Sequence, residues 1–133
     1  MAVITDIGLW ELIKHLKQWL TNLRRAGGAR KRQSRDALRG VILAARNTGV
    51  YVRRLNETGS QDHAEEARLS SMWTALGFQL TDLGLVKLAK RCDISGRYWS
   101  DPAQFDDDFL DKADVGLEKM ERLARRTVAE IER

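Results

Sequence analysis

The chain has 133 residues, 43% of them hydrophobic and 32% charged, with a net charge of +4. That balance belongs to a folded chain long enough for one core and excludes an intrinsically disordered one. The lone cysteine, Cys92, excludes an intramolecular disulfide, and two distant histidines, His15 and His63, argue against a zinc site. Polar residues interrupt the N-terminal segment from Asp6 to Gln18, so it does not read as a secretory signal. No stretch reaches the roughly 20 apolar residues of a spanning helix. A reducing, cytoplasmic setting is the expectation.

The first predicted helix covers about 6–25. Leu9, Leu12, Ile13, Leu16, Trp19, Leu20 and Leu23 fall on one stripe at helical spacing. Trp10 lies off that stripe and, if exposed, is an anchor for a partner. Gly27-Gly28 reads as a turn. The second helix covers about 29–56, with Leu38, Val41, Ile42, Ala45, Gly49, Val52 and Leu55 inward. The small residues Ala45 and Gly49 are expected to admit a close neighbouring helix. Thr58-Gly59-Ser60 marks a turn with Ser60 as N-cap. The third helix spans 61–91 with a possible break at Gly84, packing through Leu69, Met72, Trp73, Leu76, Leu80 and Leu83.

The single proline, Pro102, suits the first position of a fourth helix over 102–132, with Asp101 as cap and Gln104 reaching back to it. Its expected inner stripe is Phe109, Ala113, Leu117, Met120, Ala124, Val128 and Ile131. The absence of other prolines keeps helical hydrogen bonding available along the chain. The expected fold is therefore all-α: an antiparallel four-helix bundle in one domain over 1–133, with a short extra helical segment between helices 3 and 4.

Charge is distributed unevenly. Arg24, Arg25, Arg30, Lys31, Arg32, Arg35 and Arg39 stand against one acid, Asp36. Such a cluster suits a protein partner or the phosphates of a nucleic acid, which arginine binds in a bidentate manner. Cations at a helix N-terminus oppose its dipole, so a compensating charge is expected. The stretch Asp101, Asp106, Asp107, Asp108, Asp111 and Asp114 is available for that pairing within the chain, or between two copies head to tail. Asp107, Asp111 and Asp114 share a helical face that could hold a hard cation, but the dipole accounts for them more simply, and no metal or cofactor is expected.

Residues 88–100, LAKRCDISGRYWS, resemble the middle of a DNA-binding helix-turn-helix. Ala89 falls at the tight contact, Asp93 at the turn, Ile94 at a packing position and Ser95 at the start of a second helix. The resemblance implies a helix in the major groove with Arg97 facing DNA. The preferred reading is an irregular connection over 93–100, where Gly96 is expected to weaken a helix, with Tyr98 and Trp99 packed onto the bundle. A membrane-surface role for helix 1, from its apolar stripe and following cations, ranks below bundle packing.

No catalytic set is complete. A HEPN-type ribonuclease needs an arginine shortly before a histidine on one helix, and neither histidine has one. Helical nucleotide pyrophosphohydrolases need two acidic pairs at i, i+3, and only Glu118 with Glu121 fits cleanly. Cys92 has basic neighbours but no nearby histidine, and reads as buried. The chain is thus expected to be a non-catalytic protein-interaction module whose partner is another protein or a second copy in a homodimer, with nucleic-acid binding as the alternative and no evident small-molecule substrate.

Overall fold

A computed structural model of the chain describes residues 2–106 and 109–132, with side chains described for 10–106, 109 and 116–132. Five α-helices follow one another: α1 Ala2–Leu23, α2 Gly28–Thr58, α3 His63–Asp82, α4 Val86–Ser100 and α5 Phe109–Glu132. One 3-10 turn, Pro102–Gln104, precedes α5, and no strand occurs among the described residues. The all-helical expectation therefore holds, but the described residues form five helices rather than a four-helix bundle, with the 15-residue α4 where a short extra segment was expected.

The third expected helix ends at a Schellman motif, one turn after Thr81. Gly84 takes a φ of 85°, its N–H donates to Thr81 O at 3.0 Å, and Leu85 N–H donates to Leu80 O at 2.8 Å. Only a residue without Cβ takes that conformation without strain. The chain then reverses and α4 packs back along α3.

Neither the helix-turn-helix nor the irregular connection over 93–100 is observed. Helix α4 runs unbroken through both, because Gly96 serves close packing rather than helix breaking. A Cβ on Gly96 would stand 2.3 Å from Thr74 Oγ1, 3.2 Å from Thr74 N and 3.3 Å from Ser70 O. Ser70 Oγ donates to Gly96 O at 2.8 Å, tying the two helices at that approach. Asp93 and Arg97 pair at i, i+4, 3.1 Å apart, on the same helix. Tyr98 and Trp99 are buried, as expected.

Gly49 is a second correction. A Cβ there would meet no described atom within 4 Å, so no described part of another helix approaches it. A third concerns Pro102, which opens the 3-10 turn rather than an α-helix. Asp101 makes no side-chain capping bond, and Phe105 turns extended (φ −114°, ψ 158°) before α5 begins. At α3 the cap is Asp62, whose Oδ1 accepts from Glu65 N–H at 3.1 Å, rather than Ser60.

The core draws on all five helices. Leu12, Leu16, Trp19 and Leu23 of α1 are buried, so this helix packs on the rest. Trp19 Nε1 donates to Leu83 O at 2.9 Å, fixing α1 to the α3–α4 corner. In α2 the buried set is wider than the expected stripe and includes Ser34, Ala44, Thr48 and Tyr51. Trp73 is fully buried at the centre and donates to Thr48 Oγ1 at 2.8 Å. Leu117, Met120, Ala124 and Val128 line the inner side of α5. Helices α2 and α5 run antiparallel, joined at their outer edge by Arg39–Glu132 and Arg46–Glu121. No described helix is long and apolar enough to cross a membrane.

Candidate interaction surface

Helix α2 is 31 residues long, about 46 Å, and its outer side faces away from the core along that whole length. Positions seven apart on an α-helix drift by only about 20°. Arg32, Arg39, Arg46 and Arg53 stand seven apart and are all exposed. They make one slowly turning row of guanidinium groups, with neighbours about 10 Å apart. Beside the row, also seven apart, lie Leu43 and Val50, 58% and 61% exposed. Isolated exposed apolar residues are ordinary; two aligned within an arginine row form a defined amphipathic strip.

The neighbours of each cation determine its availability. Arg39 Nη2 lies 2.6 Å from Glu132 Oε1, and Arg46 pairs with Glu121, both acids belonging to α5. These exposed pairs add little stability, but they orient both guanidinium groups along the α2–α5 edge. Arg35 pairs with adjacent Asp36 at 3.4 Å, and Arg24 reaches Glu130 at 3.5 Å. Arg30 Nη2 donates to Leu83 O at 2.9 Å, so it caps the carbonyl end of α3. The side chains of Arg25, Lys31, Arg32 and Arg53 hold no hydrogen bond or ion pair with a described residue.

Among the described residues, the charge that offsets the basic stretch does not come from the aspartate run. It comes from Glu130 and Glu132 and from the negative ends of α3 and α5, which meet the α2 N-terminus. Because α5 is antiparallel to α2 and about 36 Å long, its N-terminal end lies at the opposite end of the pair. Asp101 and Asp106 are exposed there. Asp107, Asp108 and the side chains of Asp111 and Asp114 lie outside the described residues, as does the cation face they were expected to form. Among the described residues no acid, histidine or cysteine cluster could hold a metal.

The predicted residues thus divide. Arg32, Arg35 and Arg39 start the α2 row, while Arg24, Arg25, Arg30 and Lys31 gather at the α1–α2 corner. Trp10 joins neither group. It is 54% exposed on α1, with Lys14 Nζ 5.6 Å from its ring centroid, and its neighbour Glu11 pairs with Lys87 of α4. Arg46, Arg53, Leu43 and Val50 were missed. The seven-residue spacing would have revealed them, but local cation density ends the stretch at Arg39.

A groove of about 610 Å³ separates α1 from α5, floored by Ile13, Leu16, Leu20 and Leu123 and edged by Lys17 and Arg126. Cys92 is fully buried, and burial pushes its thiol up to about 12, so it is no nucleophile at neutral pH. The fold and surface define a class no narrower than an all-helical protein with an arginine-lined helix face. No family model, curated protein or solved structure matches the chain.

Proposed function

We propose that this chain is a non-catalytic protein-interaction module whose α2 outer face docks an acidic amphipathic helix of a partner. In this reading α2 to α5 form an antiparallel four-helix scaffold, and α1 braces the end where α2 starts. The observation that supports it most is the alignment of Arg32, Arg39, Arg46 and Arg53 beside Leu43 and Val50. A partner helix with carboxylates flanking an apolar seam at the same repeat would match both features, as in heptad pairing. Such charge matching sets register and on-rate more than affinity.

Nucleic-acid binding remains a second reading because Arg25, Lys31, Arg32 and Arg53 are free to meet phosphates. The strip has no aromatic on which to stack a base, which favours the protein partner. The aspartates of a second copy are one source of acidic charge, so self-association belongs to the same test.

The test is fluorescence anisotropy with a labelled acidic amphipathic helical peptide and with single- and double-stranded DNA, at low and physiological salt. Mass is measured in parallel. Saturable peptide binding that Leu43→Ser/Val50→Ser abolishes, with little DNA binding at physiological salt, supports the proposal. DNA binding indifferent to those two substitutions but lost in Arg32→Glu/Arg53→Glu overturns it in favour of phosphate recognition.

A further inference from the structure

At the far end of the molecule from the α2 N-terminus, a cavity of about 330 Å³ opens between the end of α2, the start of α3, and the segment joining α4 to α5. Its polar side is formed by Glu66, Gln61 and Asp106, and its apolar side by Tyr98, Trp99 and Phe105. Glu66 is 3% exposed, an uncommon state for a carboxylate. Its Oε2 accepts the Tyr51 hydroxyl at 2.6 Å, and that hydroxyl in turn accepts Asp62 N–H at 3.0 Å. Its Oε1 has only the imidazole Nδ1 of His63, 3.4 Å away on a side chain 87% exposed.

No described lysine or arginine pairs with Glu66. Arg54, the nearest candidate along α2, is held elsewhere: it pairs with Asp62 at 3.6 Å and lies 5.9 Å from the Tyr51 ring centroid. A buried carboxylate without a cation is costly, because desolvation is not offset by charge pairing. The negative field reaches the cavity wall. Burial and the Glu66 charge together hold the Tyr98 phenol above its usual range. The wall itself is built of rings: Tyr98 lies 4.7 Å from Trp99 and 5.0 Å from Phe105, centroid to centroid. Carboxylate and amide oxygens beside aromatic rings form an environment in which an organic cation is better solvated than an anion or a neutral molecule.

We propose that this cavity is a binding site for a small primary ammonium ion carrying a short alkyl chain. The ammonium donates to Glu66 Oε1 and to the Gln61 or Asp106 oxygens, and the alkyl chain lies against Trp99 and Phe105. The cavity volume of about 330 Å³, near the lower end of the small-ligand range, leaves room for such an ion with its alkyl chain.

The probe is n-butylammonium chloride, titrated into the full chain against potassium chloride at matched ionic strength. Its neutral counterpart n-butanol is titrated separately. The readouts are the Trp99 indole resonance and the melting temperature. The expected result is saturable movement of the Trp99 signal and a concentration-dependent rise in melting temperature with the amine alone. Glu66→Gln, shown folded by circular dichroism, is expected to weaken binding by about tenfold or more. Phe105→Ala keeps every charge and is expected to weaken it less. The proposal is overturned if butanol binds as well as the amine, if folded Glu66→Gln keeps wild-type affinity, or if the amine leaves Trp99 unmoved. Should Glu66→Gln not fold, the comparison of amine with alcohol on the wild-type chain decides.

Discussion

The same substitution should have opposite signs at two glycines of this chain. Gly49 and Gly96 both lie inside α-helices, α2 and α4, so alanine at either gains about 0.5–1 kcal/mol of backbone preference. At Gly49 the new methyl meets no described atom within 4 Å, and the gain is realised. At Gly96 it meets Thr74 Oγ1 at 2.3 Å, with the α3 backbone close behind at Thr74 N and Ser70 O. Overpacking of that kind costs about 1–3 kcal/mol, because α3 and α4 must part and strain the Ser70–Gly96 hydrogen bond. The helix-propensity gain is common to both variants, so their difference isolates the steric cost at about 1–3 kcal/mol. Urea unfolding followed by helical circular dichroism measures it, with equal slopes confirming a change in stability alone. Thr74→Ala should recover part of the loss at Gly96 and be nearly additive with Gly49→Ala. A Gly96→Ala protein as stable as Gly49→Ala would refute the close approach of α3 and α4.

Alkaline stability follows from two buried acids. The Tyr51 phenol is pushed up to about 12 from an ordinary 10.0, first by burial and then by its hydrogen bond to Glu66. Its neutral form is therefore favoured in the folded chain. The contribution is complete below about pH 10 and is lost as pH rises through about 12. The Cys92 thiol, raised by burial from 9.0 to about 12, adds a loss that starts lower. Denaturant titrations across pH 8–12 should show a falling limb that Cys92→Ala shortens from its lower end and that Tyr51→Phe makes shallower above about pH 10. At neutral pH, Tyr51→Phe should cost about 1–3 kcal/mol, since it removes the hydroxyl donor to a buried carboxylate. A chain whose stability is flat to pH 12 would contradict both burials. The thiol gives a second check: Cys92 should react with a disulfide reagent only as fast as the core opens, with its rate rising in urea. Immediate labelling in native buffer is the contrary result.

The helical stripes were legible because burial follows a simple period. Leu12, Leu16, Trp19 and Leu23, and the α5 set from Leu117 to Val128, lie where spacing places them. Gly84 was legible as a break because a positive φ has one usual occupant. Gly96 and Gly49 were misread for one reason. A helical glycine has two opposite meanings, close approach or weak point, and only the partner helix decides between them. The partners of the basic stretch were likewise hidden, since Glu130 and Glu132 lie about ninety residues downstream and antiparallel packing brings them together with it. Glu66 was not legible at all. Its sequence neighbours are those of an ordinary helix start, and its burial depends on Tyr51 and on the α4–α5 connection.

The α2 docking face is tested most directly by mapping where an acidic amphipathic peptide binds. Backbone amide shifts, followed during titration of the peptide into labelled protein, report every helix at once. The account predicts changes confined to α2 between Arg32 and Arg53 and the adjoining edge of α5, and their loss in Leu43→Ser/Val50→Ser. Changes centred on the groove between α1 and α5, or no changes at saturating peptide, would contradict it.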